Sequence, residues 1–581
     1  MKKWSDLKLK INWKQTMVMF ILSVSLVIPS ASFHASADEK YTQSSSLTSY
    51  QLTDAIKVEV KSILNESTSE GTRIAAVVRI YNNGDRLTGV PEYEVRVKTQ
   101  EGLEYIMRPS QANVKNIQPR ETAELSYMNV VDRYDNFSLT ELSWLDVDEF
   151  VYPKQEKRII SIPVSAIEWK GEKAVLSDPA VMKKWEDTFT IPVLSSTVEY
   201  KPISLNEQNT PDGPMTIVGL LATNKGDKKT TIPDFRINGV SDKKVYTGKR
   251  LEQDKLLLDP GEQHYVHYAI PVRDRMELKS LSILTPEDFA VDDKTHNNYL
   301  IGRLMITLPG ADSNLRFLNQ LVQYEWNKPI KFDPLYKLIR PEVDVSMVDL
   351  QLHESAGGGF KAAVAKFKLL NHSESPMQVP HFQAELSSVS GKKYLGTRQS
   401  TLVETLIPNI SYVIYYSFII PSTETGEQLA MQILDTKSVE PYSIPLAAFK
   451  TKVMEETSDK SLAFYPFQVT LNDWSTGANY NMASGSLPYS YKLNLDFNIK
   501  LQDEVVVDQS FSKMRLELAD AKNRIMVTKV LSFTGENKLV SGTQTINFDL
   551  DRFETTVYLR IYEIIDTPFG EARRLIQTLK R

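Results

Sequence analysis

The chain has 581 residues, 41% of them hydrophobic and 24% charged, with no long Gly, Ser or Pro tract. At about 150 residues per domain that length suggests roughly four domains, and the composition excludes a disordered, collagen-like or polytopic membrane protein. The formal charge is −5, and without residues 1–37 there are 63 basic against 72 acidic side chains, a balance that disfavours nucleic acid.

Five lysines precede an apolar run at 17–28, followed by Pro29 and small residues ending in Ala35-Ser36-Ala37. The run is about 12 residues, short of the ~20 that span a bilayer, so it predicts a signal peptide over 1–37, cleaved after Ala37, with no stable membrane span afterwards. There is no cysteine. An exported chain without disulfides must take its stability from core burial, and this composition points to a Gram-positive bacterium.

Downstream, one set of landmarks recurs. Asn-led turns at Asn82-Asn83-Gly84-Asp85, Asn224-Lys225-Gly226-Asp227 and Asn371-His372-Ser373-Glu374 lie 142 and 147 residues apart. Nine residues after each leading Asn stands Pro-x-aromatic: Pro91-Glu92-Tyr93, Pro233-Asp234-Phe235 and Pro380-His381-Phe382. A polar turn ending in Tyr105, Tyr246 or Tyr394 follows, then Pro119, Pro260 or Pro408, then a Tyr eight residues later at Tyr127, Tyr268 and Tyr416. A worn fourth copy keeps only Met514, Leu516 and Leu518 and the polar turn at 520–524.

After each Pro-x-aromatic the chain alternates, with Tyr93, Val95 and Val97 on one face and Glu94, Arg96 and Lys98 on the other. This predicts a half-buried strand in one register in all four copies. Many short strands with turn signals predict an all-β fold of tandem immunoglobulin-like antiparallel β-sandwiches joined by short linkers. The expected boundaries are 38–165, 192–310, 343–450 and a degenerate unit at 463–581. Asp178-Pro179 reads as the start of a short helix over 180–186, and 314–324 carries the best helical pattern. Both fall in connectors.

The order of Asn turn, Pro-x-aromatic strand, Tyr-ended turn and Pro-Gly-Glu turn resembles the telokin-like immunoglobulin-fold domain of unknown function found in secreted Gram-positive proteins. Leu258-Asp259-Pro260-Gly261-Glu262, Tyr268-Ala269-Ile270-Pro271 and Phe418-Ile419-Ile420-Pro421 carry the likeness; copy one replaces the Gly by Arg120. The resemblance implies a scaffold and brings no catalytic residues with it.

Signs of chemistry are sparse. HExxH, GxSxG, GxGxxG and Walker A patterns are absent. His264 and His267 are three apart on a predicted strand and point to opposite faces, so they cannot chelate one metal, and no metal or other cofactor is expected. Asp132, Asp135, Asp146, Asp148, Glu149, Glu287, Asp288, Asp292, Asp293, Asp435 and Glu440 read as solvated loop charge, with Ca²⁺ binding and two-carboxylate hydrolysis as the sharper alternatives. Trp144 aligns with Ile283 and Ile433 and reads as core. Trp169, Trp185 and Trp326 fall in linkers, where they are expected to wedge adjoining domains. Trp474 alone reads as loop-borne, and is the one possible ligand contact. Arg340, Arg573 and Arg574 read as isolated basic spots.

The resulting expectation is a secreted, non-enzymatic scaffold or binding protein, extracellular or wall-associated. It would act on an unknown envelope or secreted protein, or on a cell-wall polymer. A glycan- or wall-binding module and a hydrolase with a loop-borne site are the alternatives.

Overall fold

The alternation after each Pro-x-aromatic becomes a strand whose apolar face is buried in every copy, though Asn238 and Glu517 on the opposite face are buried too in copies two and four. In the computed structural model these strands are Glu94–Thr99, Arg236–Val240, Gln383–Ser388 and Lys513–Asp520. Val95, Val97, Phe235, Ile237, Phe382, Ala384, Leu386, Met514, Leu516 and Leu518 all point into cores. The structure describes residues 48–580 apart from 173, 175, 177–178, 273–277, 310–319, 356–357, 389, 400–402, 455–460, 481–488, 503–504, 508–510 and 551–552. The expected signal peptide lies outside the described residues.

Apolar side chains gather into four large cores, spanning Leu52 to Val164, Phe189 to Leu308, Ile330 to Phe449 and Leu462 to Ile561; these define units one to four. Each unit opens with a long hairpin, as Ile56–Thr68 with Gly71–Asn82 in unit one, and closes with another, as Leu139–Asp148 with Gln155–Pro163. Unit one has a nine-stranded sheet folded over its core and unit two has two five-stranded sheets, each unit adding a two-stranded ladder at its Asn turn. Units three and four each have a four-stranded sheet and share a nine-stranded one, because Val343–Ser355 of unit three pairs with the last strand, Gly570–Lys580. The fold is all-β and antiparallel in its long ladders, with layers facing across apolar cores.

Two β-bulges recur in every unit. The opening hairpin carries one extra residue at Lys61, Ile203, Val348 and Asn472, and the closing hairpin one at Ile159, Arg303, Leu446 and Ile576. A bulge bends its strand and turns a side chain away from the alternating pattern. The fourth copy has lost its prolines but kept both bulges.

The Asn landmark has a common physical cause. Asn82, Asn224 and Asn371 are fully buried. In unit two, Asn224 Nδ2 donates to Lys228 O at 2.8 Å and Leu258 O at 3.1 Å, while Oδ1 accepts from Gly226 N at 2.9 Å. Asn82 repeats this with Arg86 O, Ile117 O and Gly84 N, and Asn371 with Ser375 O, Leu406 O and Ser373 N. One side chain thus closes its own turn and ties it to the strand before the second Pro. After that Pro the backbone goes left-handed, at Arg120 (φ 62°), Gly261 (φ 77°) and Asn409 (φ 58°). Arg120 holds in unit one the conformation that Gly261 adopts freely in unit two.

One connector expectation is corrected. Pro179–Val181 is a single 3-10 turn followed by the strand Met182–Lys184, which pairs in parallel with His296–Thr307, so no helix runs over 180–186. A free sheet edge outcompetes a short helix there, since one or two turns are unstable alone. Most of 314–324 lies outside the described residues, and at its end Tyr324 N donates to Lys450 O, a strand-like contact.

Candidate functional site

Polar side chains concentrate where units meet. Between units one and two, Lys61 Nζ sits 2.8 Å from Glu124 and 3.0 Å from Glu287, and Arg303 Nη2 is 2.9 Å from Glu287. Lys61 and Arg303 are both bulge residues, so the two bulges aim opposite partners at one carboxylate. Arg303 also donates to Thr285 Oγ1 and Lys61 O. Burial pushes the Glu287 carboxyl above its ordinary value despite both cations, and burial likewise lowers Arg303. Beside this cluster Leu64, Ala75, Val77 and Met128 of unit one pack with Leu284, Phe289, Tyr299 and Ile301 of unit two, with Trp169 between them. Trp169 lies so close to the sheet that a Cβ on Gly302 would stand 2.5 Å from its ring.

The junction of units three and four is built alike. Lys366 Nζ is 2.8 Å from Glu563 and 3.1 Å from Asp349; Arg574 Nη2 and His353 Nε2 reach the other Glu563 oxygen at 2.9 and 3.3 Å. All five side chains are buried, and Phe511 lies under the ammonium at 5.1 Å. Burial pulls the Lys366 ammonium down, but Glu563 and Asp349 outweigh it and hold it above its ordinary value. The same contest holds Glu563 well below the carboxylate range, with burial opposed by Lys366, Arg574 and His353. In both junctions a Lys from an opening hairpin meets a Glu-Arg pair on the closing hairpin of the next unit.

Units two and three touch more lightly. Gln208 exchanges hydrogen bonds with Ser443, Lys393 Nζ donates to Glu207 O, and Tyr265 stacks on Tyr336 at 4.7 Å while bonding Asp333.

A groove of about 700 Å³ lies in unit two, between 231–236 and 247–255. Arg250 enters it with a 3.8 Å pair to Asp234, while its Nε and Nη2 are covered and lack a hydrogen-bond acceptor. The buried hydroxyls of Tyr200 and Tyr268 also lack partners. Arg398 repeats the arrangement in unit three, but its Nη1 donates to Pro380 O. Three carboxylates line this groove: Glu252 is engaged by His267 at 2.8 Å and Asp234 by Arg250 at 3.8 Å, with Asp254 beside them.

The remaining residues singled out from sequence are dispersed. His264 is half-buried and His267 buried, both on Gln263–Ile270. Among the described residues no three His, Asp or Glu side chains converge as a metal site. Glu287 and Asp435 are buried, not solvated, and Asp435 caps the turn at Lys437 and Ser438. Arg574 is no isolated spot either, being part of the Glu563 cluster. Trp144 is core. Of the linker tryptophans Trp169 bridges two units, whereas Trp185 and Trp326 pack on the cores of units two and three. Trp474 lies within the strand Phe467–Tyr480, half-buried against the fourth core, so it is not loop-borne. The flanking Asn-Asp and Ser-Thr-Gly read as a loop because the bulge at Asn472 breaks the alternation.

No family model matches the chain, and no curated protein matches it significantly. Among solved structures it is similar to a protein of unknown function from Porphyromonas gingivalis W83, at 12% identity over 44% of this chain and 99% of that one, with a TM-score of 0.14. Dimeric latent PorU from Porphyromonas gingivalis is similar at 10% identity over 74% of this chain and 36% of that one, TM-score 0.13. A DUF4785 family protein from Legionella pneumophila subsp. pneumophila str. Philadelphia 1 is similar at 10% identity over 70% and 98%, TM-score 0.16. At such scores these likenesses assign neither an activity nor an arrangement of units.

Proposed function

We propose that the chain is an exported, non-enzymatic scaffold or binding protein of the cell envelope, built of four tandem units of the telokin-like immunoglobulin type and acting through protein-protein contacts. The observation that supports this reading is the placement of the buried charge: Lys61, Glu287 and Arg303, and Lys366, Glu563 and Arg574, join unit to unit. Charges spent this way hold domains at fixed orientations, which suits a molecule that presents surfaces. The strands Gln155–Pro163 and Gly542–Leu550 each end a sheet, and an unpaired edge is where a partner strand adds. A photo-crosslinking residue at Lys157, on that edge, tests it in the producing cells. The reading expects envelope fractionation and a discrete crosslinked protein; a chain that stays in the cytoplasm, or that cleaves wall polymers when purified, overturns it.

A further inference from the structure

We propose that the groove of unit two binds a peptide segment carrying a carboxylate, and that Arg250 holds that carboxylate. The groove opens where the chain crosses between the two five-stranded sheets of the unit, Arg236–Val240 with Val245–Tyr246 lying in one and Lys249–Arg250 in the other. Arg250 stands on that crossing, opposite Tyr268, with its side chain only 13% exposed. Its Nε and Nη2 find no acceptor. Asp234 approaches Nη1 no closer than 3.8 Å, beyond hydrogen-bond reach, and is itself 81% exposed. A desolvated guanidinium with open donors is costly to a fold, and it is a strong attachment point for a carboxylate, which its planar fork meets with two parallel bonds.

Unit three shows that the fold can anchor the same two side chains. Arg398 stands opposite Tyr416 as Arg250 does opposite Tyr268, yet there Arg398 Nη1 donates to Pro380 O at 3.1 Å and the Tyr416 hydroxyl donates to Phe382 O. Unit two anchors neither. The Tyr268 hydroxyl is buried without a partner, and so is that of Tyr200; both rings pack on Phe235, which lines the groove. Bonds kept in one copy and given up in the next point to a ligand that supplies the acceptors. The walls suit a peptide. Ile232, Pro286 and Leu300 give apolar surface, while the exposed Lys249 and Lys255 offset Asp234 and Asp254 at the rim. Both Glu252 oxygens accept from His267 N, which leaves Arg250 as the buried charge facing the groove without a hydrogen bond. About 700 Å³ is room for several residues and far more than one ion needs. That the segment belongs to an envelope or secreted partner rests on the proposed function; binding by the purified chain does not.

The test is affinity selection on the purified full chain from two pools of random acetylated pentapeptides, one with free and one with amidated C-termini, read by mass spectrometry. Peptides with a carboxylate are expected to be enriched several-fold. Enrichment confined to the free pool assigns the terminal carboxylate, and enrichment of Asp and Glu in both pools assigns a side chain. Arg250→Met is expected to abolish the enrichment with the urea midpoint unchanged or raised, because it removes a cation without a hydrogen bond. Arg250→Lys weakens binding by losing the fork. Arg398→Met, which loses the bond to Pro380, keeps the enrichment and lowers the midpoint. Absence of enrichment, preference for basic or uncharged peptides, or enrichment that survives Arg250→Met overturns the proposal. So does an Arg250→Met midpoint that falls as far as that of Arg398→Met, which marks a purely structural arginine. None of these results touches the envelope reading, which fails on fractionation and crosslinking instead.

Discussion

Asn224 shows how much one side chain does in each copy. Replacing it by Ala strands two carbonyls and one amide inside the unit, and at roughly 1 kcal/mol for each lost buried partner the cost is about 3 kcal/mol. Asn224→Asp is expected to cost at least as much, because it keeps the acceptor for Gly226 but aims an oxygen at two carbonyls; urea unfolding of the full chain checks both. At Gly261 an added methyl meets nothing within 4 Å, so Gly261→Ala isolates the left-handed backbone and lowers stability by about 1 kcal/mol in the same assay. The Asn spacing was legible in the sequence as a landmark. Its cause was not, since the acceptors Ile117, Leu258 and Leu406 stand 34 or 35 residues further on.

Strands were legible wherever period-two alternation runs unbroken, as at Val95 and Val97. The bulges were not, because one inserted residue looks the same as a lapse of pattern, and with them went Lys61, Arg303 and the reading of Trp474. The junctions were hidden for the further reason that Lys61 meets Glu287 across 226 residues and Lys366 meets Glu563 across 197. The two junctions answer acid differently. Glu563 lies well below 4.5 when folded, so its contribution is present above 4.5 and is lost as pH falls towards the folded value. Lys366 is raised above 10.5, so its contribution is present below 10.5 and is lost as pH climbs through the folded value. Glu287 is raised, so folding takes up a proton there, and the cost of burying its charge is relieved as pH falls through the folded value. Spin-label distances across each junction at pH 7 and pH 3.5 are expected to stay fixed between units one and two and to broaden between three and four. Lys366→Ala, which leaves Asp349 unpaired and Glu563 with less positive charge, costs about 3 kcal/mol in urea unfolding. Gly302→Ala drives a methyl into Trp169 and is expected to loosen the first junction, seen as new protease cuts in 165–192.

At the scale of the whole chain the units fall into two tightly joined pairs with a polar joint between them. Units one and two, and three and four, bury charge and apolar surface against each other, while Gln208, Lys393 and Tyr265 make the lighter crossing. Paired spin labels are therefore expected to give narrow distance distributions within each pair and a broad one between units two and three, and equal widths would contradict this. That grouping was invisible in a repeat that counts units one by one. One feature of the second pair also bears on truncation. The last strand, Gly570–Lys580, supplies Arg574 to Glu563 and lies between the chain's own hairpin partner and Val343–Ser355. Without those 11 residues the second pair has no latch, so a chain truncated ahead of Gly570 carries an open half that quality-control proteases can recognise.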